Sequence, residues 1–134
     1  MSVVLSPVGL AAAPVENQLN TLATYKEKLC SPFCSSQNNI PQVNITYTSE
    51  TPALVNTTVF VPIVATVSVL TPGCSCKPVS QVYTERFVAA FQGRSAVPTS
   101  ITITSTGRIQ GNSCIHQGKV HGITINDSLV ITIA

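Results

Sequence analysis

A chain of 134 residues is the size of one domain with one buried core. Only 9% of its residues are charged while 44% are hydrophobic, so much of the surface falls to Ser, Thr, Asn, Gln and apolar side chains, a composition suited to a subunit covered by copies of itself. Seven Lys and Arg against five Asp and Glu leave a net charge of +2, and the basic residues are scattered along the chain, which argues against a phosphate-binding face and nucleic acid as a partner.

Residues 1–14 (MSVVLSPVGLAAAP) are uncharged and broken by Pro7, Gly9 and Pro14. They read as an extended arm, with Ser2, Val3, Val4, Leu5, Val8 and Leu10 available for pairing with a sheet edge. No basic segment precedes the apolar stretch and Pro7 interrupts it, so neither a signal peptide nor membrane insertion is expected, and synthesis in the cytoplasm is.

Residues 15–39 read as a helix followed by a cysteine-containing connection. Val15, Leu19, Leu22 and Leu29 recur at roughly helical spacing, Pro14 suits a first turn, and Ser31-Pro32 ends the segment. From residue 40 to 134 the period changes to two. Val43, Ile45 and Tyr47 alternate with Asn44, Thr46 and Thr48, and Val59, Val61, Ile63, Ala65, Val67 and Val69 form one unbroken apolar face. Pro62 points to an edge, a bulge or a bend there. Tyr83, Phe87 and Phe91 share one face of a strand over 79–91, with Val82 and Val88 on the other. A strand from Ile101 is closed by Thr106-Gly107. Strands 120–125 and 129–133 then flank Asn126-Asp127, which reads as a two-residue hairpin turn. The fold class expected is all-β: an antiparallel β-sandwich or jelly roll over 40–134, with the arm and one N-terminal helix.

The motifs carry little chemistry. Cys30 and Cys34 are separated by three residues, one more than a Cys-x-x-Cys redox pair. They follow a helix instead of opening one, and structural cross-linking fits them better. Cys74, Cys76, Cys114 and His116 place soft ligands at i and i+2. A Cys3His zinc site is the alternative there, and exposed thiols disposed to disulfides are the preferred reading. Cys114 lacks a well-placed base in His116 or His121, Glu85 beside Arg86 reads as a solvated ion pair, and Asp127 reads as turn chemistry. No catalytic residue, metal or cofactor is assigned. The absence of Trp argues against a carbohydrate-binding sandwich.

An uncharged extended arm joined to a cysteine-bearing sandwich, with no export signal, resembles the small sandwich proteins with which bacterial spores build coats and appendages. The resemblance implies a non-enzymatic structural subunit that polymerises through its arm and sheet edges. Its partners would be copies of itself or related structural subunits, with disulfide cross-links formed after release to air from among Cys30, Cys34, Cys74, Cys76 and Cys114. In those proteins the extended segment itself bears cysteine. Residues 1–29 contain none, which leaves Cys30 and Cys34 nearest the arm. The alternatives are a virion component, such as a capsid decoration or tail protein, and a binding module such as an adhesin tip.

Overall fold

Strict alternation of buried and exposed side chains organises the molecule. The computed structural model describes residues 2–7, 17–35, 40–71 and 78–134, and among them there is no helix. Eight strands follow in chain order: β1 (Ser2–Pro7), β2 (Gln18–Cys34), β3 (Gln42–Ser49), β4 (Ala53–Val55), β5 (Thr58–Thr71), β6 (Val79–Phe91), β7 (Ile101–His116) and β8 (Lys119–Ile133). One antiparallel sheet has the order β1-β2-β8-β7. In the other, β3 and β4 lie end to end along one side of β5, and β6 lies along its other side. The two sheets stack as a β-sandwich.

The core is the apolar ladder between them. β5 supplies Val59, Val61, Ile63, Ala65, Val67 and Val69, and β6 supplies Ala89 and Phe91. Across from these, β2 supplies Ala23, Tyr25, Leu29 and Phe33, while β8 supplies Ile123, Ile125, Leu129, Ile131 and Ile133, all buried. Burial of each Val or Ile contributes on the order of 1.5–3 kcal/mol, so these two central strands dominate stability.

The expected N-terminal helix is not formed. Residues 18–34 are the long strand β2, paired with β1 on one side and β8 on the other. Its inward face is Leu19, Thr21, Ala23, Tyr25, Glu27 and Leu29, with Lys26, Lys28 and Cys30 exposed after each of the last three. The helical spacing of Leu19, Leu22 and Leu29 loses to sheet pairing. An isolated helix of this length is marginal in water, and Thr21, Thr24 and Tyr25 favour a pleated, half-buried setting.

Three further expectations change. Pro62 sits in a central strand. Its carbonyl accepts from Glu50 N at 2.9 Å, so its absent N–H faces the same side, in the gap where β3 has ended at Ser49 and β4 starts only at Ala53. No ladder bond is lost. Thr106-Gly107 is a bulge inside β7, whose register slips between Ser105 and Gly107. Asn126-Asp127 is no turn but the middle of β8. The hairpin between β7 and β8 turns at Gln117 and Gly118, both at positive φ (52° and 73°), the geometry of a type I′ turn.

Candidate assembly edges and a basic thiol cavity

One edge of the first sheet is β1, which is held by main-chain pairing with β2. Ser2 lies opposite Lys26, Val3 opposite Tyr25, Val4 opposite Thr24 and Leu5 opposite Ala23. The arm residues Ser2, Val3, Val4 and Leu5 therefore pair as a strand, and Val8 and Leu10 lie outside the described residues. From Gln18 to Lys28, β2 keeps one register with β8 without interruption. The opposite edge of this sheet, β7, is less regular. It carries the bulge at Ser105/Gly107, and Cys114 stands at φ 54°. Such irregularities discourage another chain from pairing along an edge. Two β7 side chains also reach across to the free edge of the second sheet. Gln110 Nε2 donates to the Pro41 carbonyl at 2.7 Å, and Arg108 Nη1 donates to the Val43 carbonyl at 3.5 Å.

The outer face of the second sheet is almost free of charge. Thr46, Thr66 and Thr84 align across three strands, and Phe60 with Ala90, Pro62 with Val88, and Ser68 with Val82 are cross-strand partners. Arg86 is the single charged side chain on the outward faces of β5 and β6, and its Nη1 meets Glu50 Oε1 at 2.6 Å. Glu85, expected to share that solvated pair, points inward and is buried.

Two polar clusters lie in the interior. Asp127, fully buried, accepts from Tyr47 OH and from Ser105 Oγ, both at 2.5 Å, and from Arg108 Nη2 at 3.3 Å. Tyr25 OH donates to the Tyr47 oxygen at 2.9 Å. Burial pushes both phenols above the ordinary tyrosine range. Glu27 is 2% exposed and neither carboxylate oxygen has a hydrogen-bond partner. Burial, reinforced by the charge of Glu85, pushes its pKa up to about 7. Glu85 is raised as well, chiefly by burial. Neither cluster is visible in the sequence, because the polar members come from different strands.

The cysteines separate into distinct settings. Cys34 is disulfide-bonded, whereas Cys30 and Cys114 are free and exposed. Cys74 and Cys76 lie outside the described residues. Among the described residues no group of three or more His, Cys, Asp or Glu side chains is arranged to hold a metal ion. Cys114 is brought together with His121: both line a cavity of about 420 Å³ on the outer side of the β2-β8-β7 sheet, which Lys26 and Lys28 also line. The ring of His116 lies 6.4 Å, centroid to centroid, from that of His121. Lys26 and Lys28, next to each other on one face of β2, are thus brought beside Cys114 and His121. The chain matches no family model, no curated protein and no solved structure.

Proposed function

We propose that this chain is a non-enzymatic structural subunit that polymerises by strand exchange. In this reading β1 leaves the edge of its own β2 and pairs in the same register with β2 of a neighbouring copy. The observation that carries it is the β1–β2 ladder itself. Six consecutive residues are held through the main chain, at the end of a sheet, along a stretch of β2 with no irregularity. A bond pattern of that kind serves equally well between copies.

Residues 8–17 join the two strands, and a segment of this length spans at most about 35 Å when extended, enough to carry β1 to an adjacent molecule. Each copy donates one strand and accepts one, so the contact is head-to-tail and propagates as a filament unless it closes into a ring. The nearly uncharged outer face of the second sheet supports lateral packing of such filaments, with Phe60, Val82 and Val88 exposed on it. Cys30 is free and exposed, and it is the thiol nearest the arm available for cross-links, since Cys34 is already bonded. The resemblance drawn from the sequence supports a spore surface as the place of assembly.

Sedimentation velocity of the native chain at micromolar concentration tests the reading. Concentration-dependent polymers are expected, and a single monomeric species would remove its basis.

A further inference from the structure

The cavity beside Cys114 owes its floor to Gly122. A Cβ at that position would stand 2.9 Å from Ser113 Oγ, 3.2 Å from the Glu27 carbonyl oxygen and 3.6 Å from Cys114 Sγ. A side chain at 122 would crowd these atoms, so only glycine fits there, and Gly122 lines the cavity together with the thiol of Cys114. The charge around it has one sign. Lys26 and Lys28 are exposed, and neither joins the ion pairs among the described residues, which are Arg86–Glu50 and Arg108–Asp127. His121 lines the same cavity. The one acidic residue of the lining, Glu27, buries its side chain. Among the described residues of the lining, no exposed carboxylate offsets the lysines.

We infer that this cavity binds small anionic disulfides, on which Cys114 acts to form a mixed disulfide. The lysines attract the carboxylates of the ligand, and the cavity admits its sulfurs to Cys114 Sγ. In the exchange, the Cys114 sulfur, having lost its proton, attacks one sulfur of the ligand. The ligand S–S bond breaks as the new S–S bond forms. The departing thiolate carries away the electron pair and takes up a proton from water, so the Cys114 sulfur is oxidised and the departing sulfur is reduced. The ligand disulfide is the only oxidant required. The product is a reversible cap on an exposed thiol, which makes the site a modification site on the outer face of the sheet, whose lining residue Lys26 also pairs with β1.

Cys30, also free and exposed, lies outside the cavity lining with Lys28 alone beside it on the strand face, and provides an internal reference. The full-length chain is incubated at low ionic strength with glutathione disulfide, which is anionic, or with cystamine, which is cationic. Adducts at each cysteine are then followed by peptide mass spectrometry. The ratio of the glutathione disulfide rate to the cystamine rate is expected to be about tenfold larger at Cys114 than at Cys30, and to shrink as salt is added. Replacing both lysines (Lys26→Gln with Lys28→Gln), on an exposed strand face, should bring the Cys114 ratio close to that of Cys30. Equal ratios at the two cysteines, or a preference at Cys114 that survives the double substitution, would overturn the assignment.

Discussion

The carboxamide of Gln81 lies against the backbone of Ser31 much as a neighbouring strand would. Its Oε1 accepts from Ser31 N at 3.0 Å and its Nε2 donates to the Ser31 carbonyl at 3.1 Å. Ser31 lies where β2 loses its register with β8, between Lys28 and Phe33. A side chain from the opposing sheet thus supplies the hydrogen bonds that the ladder drops, and Tyr83 OH donates to the same Oε1 at 2.8 Å. Truncation by Gln81→Ala leaves the Ser31 backbone groups and the Tyr83 hydroxyl without this partner. A loss of about 1–3 kcal/mol is expected from the unsatisfied groups. Urea denaturation followed by circular dichroism measures it, and a change within error would mean that water replaces Gln81 at no cost.

Asp127 provides a second test, because a turn residue and a buried anion respond differently to substitution. In a turn, Asp127→Asn would be nearly neutral. As the acceptor for Tyr47, Ser105 and Arg108, the carboxylate balances the only charged guanidinium that reaches it. Asp127→Ala leaves the Tyr47 and Ser105 hydroxyls and the partly exposed Arg108 without their acceptor and is expected to cost about 1–3 kcal/mol. Asp127→Asn should cost less while remaining clearly destabilising. Thermal melts of the two variants separate these outcomes, and a neutral Asp127→Asn would contradict the role assigned here.

Glu27 links stability to pH. Its carboxyl has an ordinary value of 4.5 and titrates near 7 in the fold. Between those values the folded state holds a proton that the unfolded chain releases. The stabilisation is therefore complete below the lower value and is lost as pH rises through the upper one. The melting temperature should fall from about pH 5 to about pH 8, and Glu27→Gln should flatten that fall and melt several degrees above the parent at the higher pH. A parent chain that becomes more stable over this interval would exclude the effect.

The parts of the fold that local pattern reveals are those whose inward faces carry a clear apolar series. Val59 to Val69 alternate without a polar member, and Tyr83, Phe87 and Phe91 mark β6 although Gln81 and Glu85 share its inward face. The inward face of β2 contains Thr21 and Glu27, so its alternation is obscured, while Leu19, Leu22 and Leu29 happen to match a helical period. Asp127 resembles a turn residue because its partners are on β3 and β7, beyond any local window. The cavity was hidden for the same reason. Lys26 and Lys28, neighbours on one face of β2, meet Cys114 and His121 only once β2 and β7 flank β8.

The strand-exchange account turns on whether β1 pairs within its own chain or between copies, and a disulfide trap reads this directly. Val4 and Thr24 are opposite one another across β1 and β2, and facing residues of antiparallel strands lie about 4.5–5.5 Å apart at Cα, within disulfide reach. The chain carrying both Val4→Cys and Thr24→Cys is assembled under reducing conditions, oxidised, and run on a non-reducing denaturing gel beside the unsubstituted chain. Exchange predicts a ladder of covalent multimers that the unsubstituted chain lacks and that collapses on reduction. Covalently closed monomers alone, with the new cysteines joined inside one chain, would contradict it.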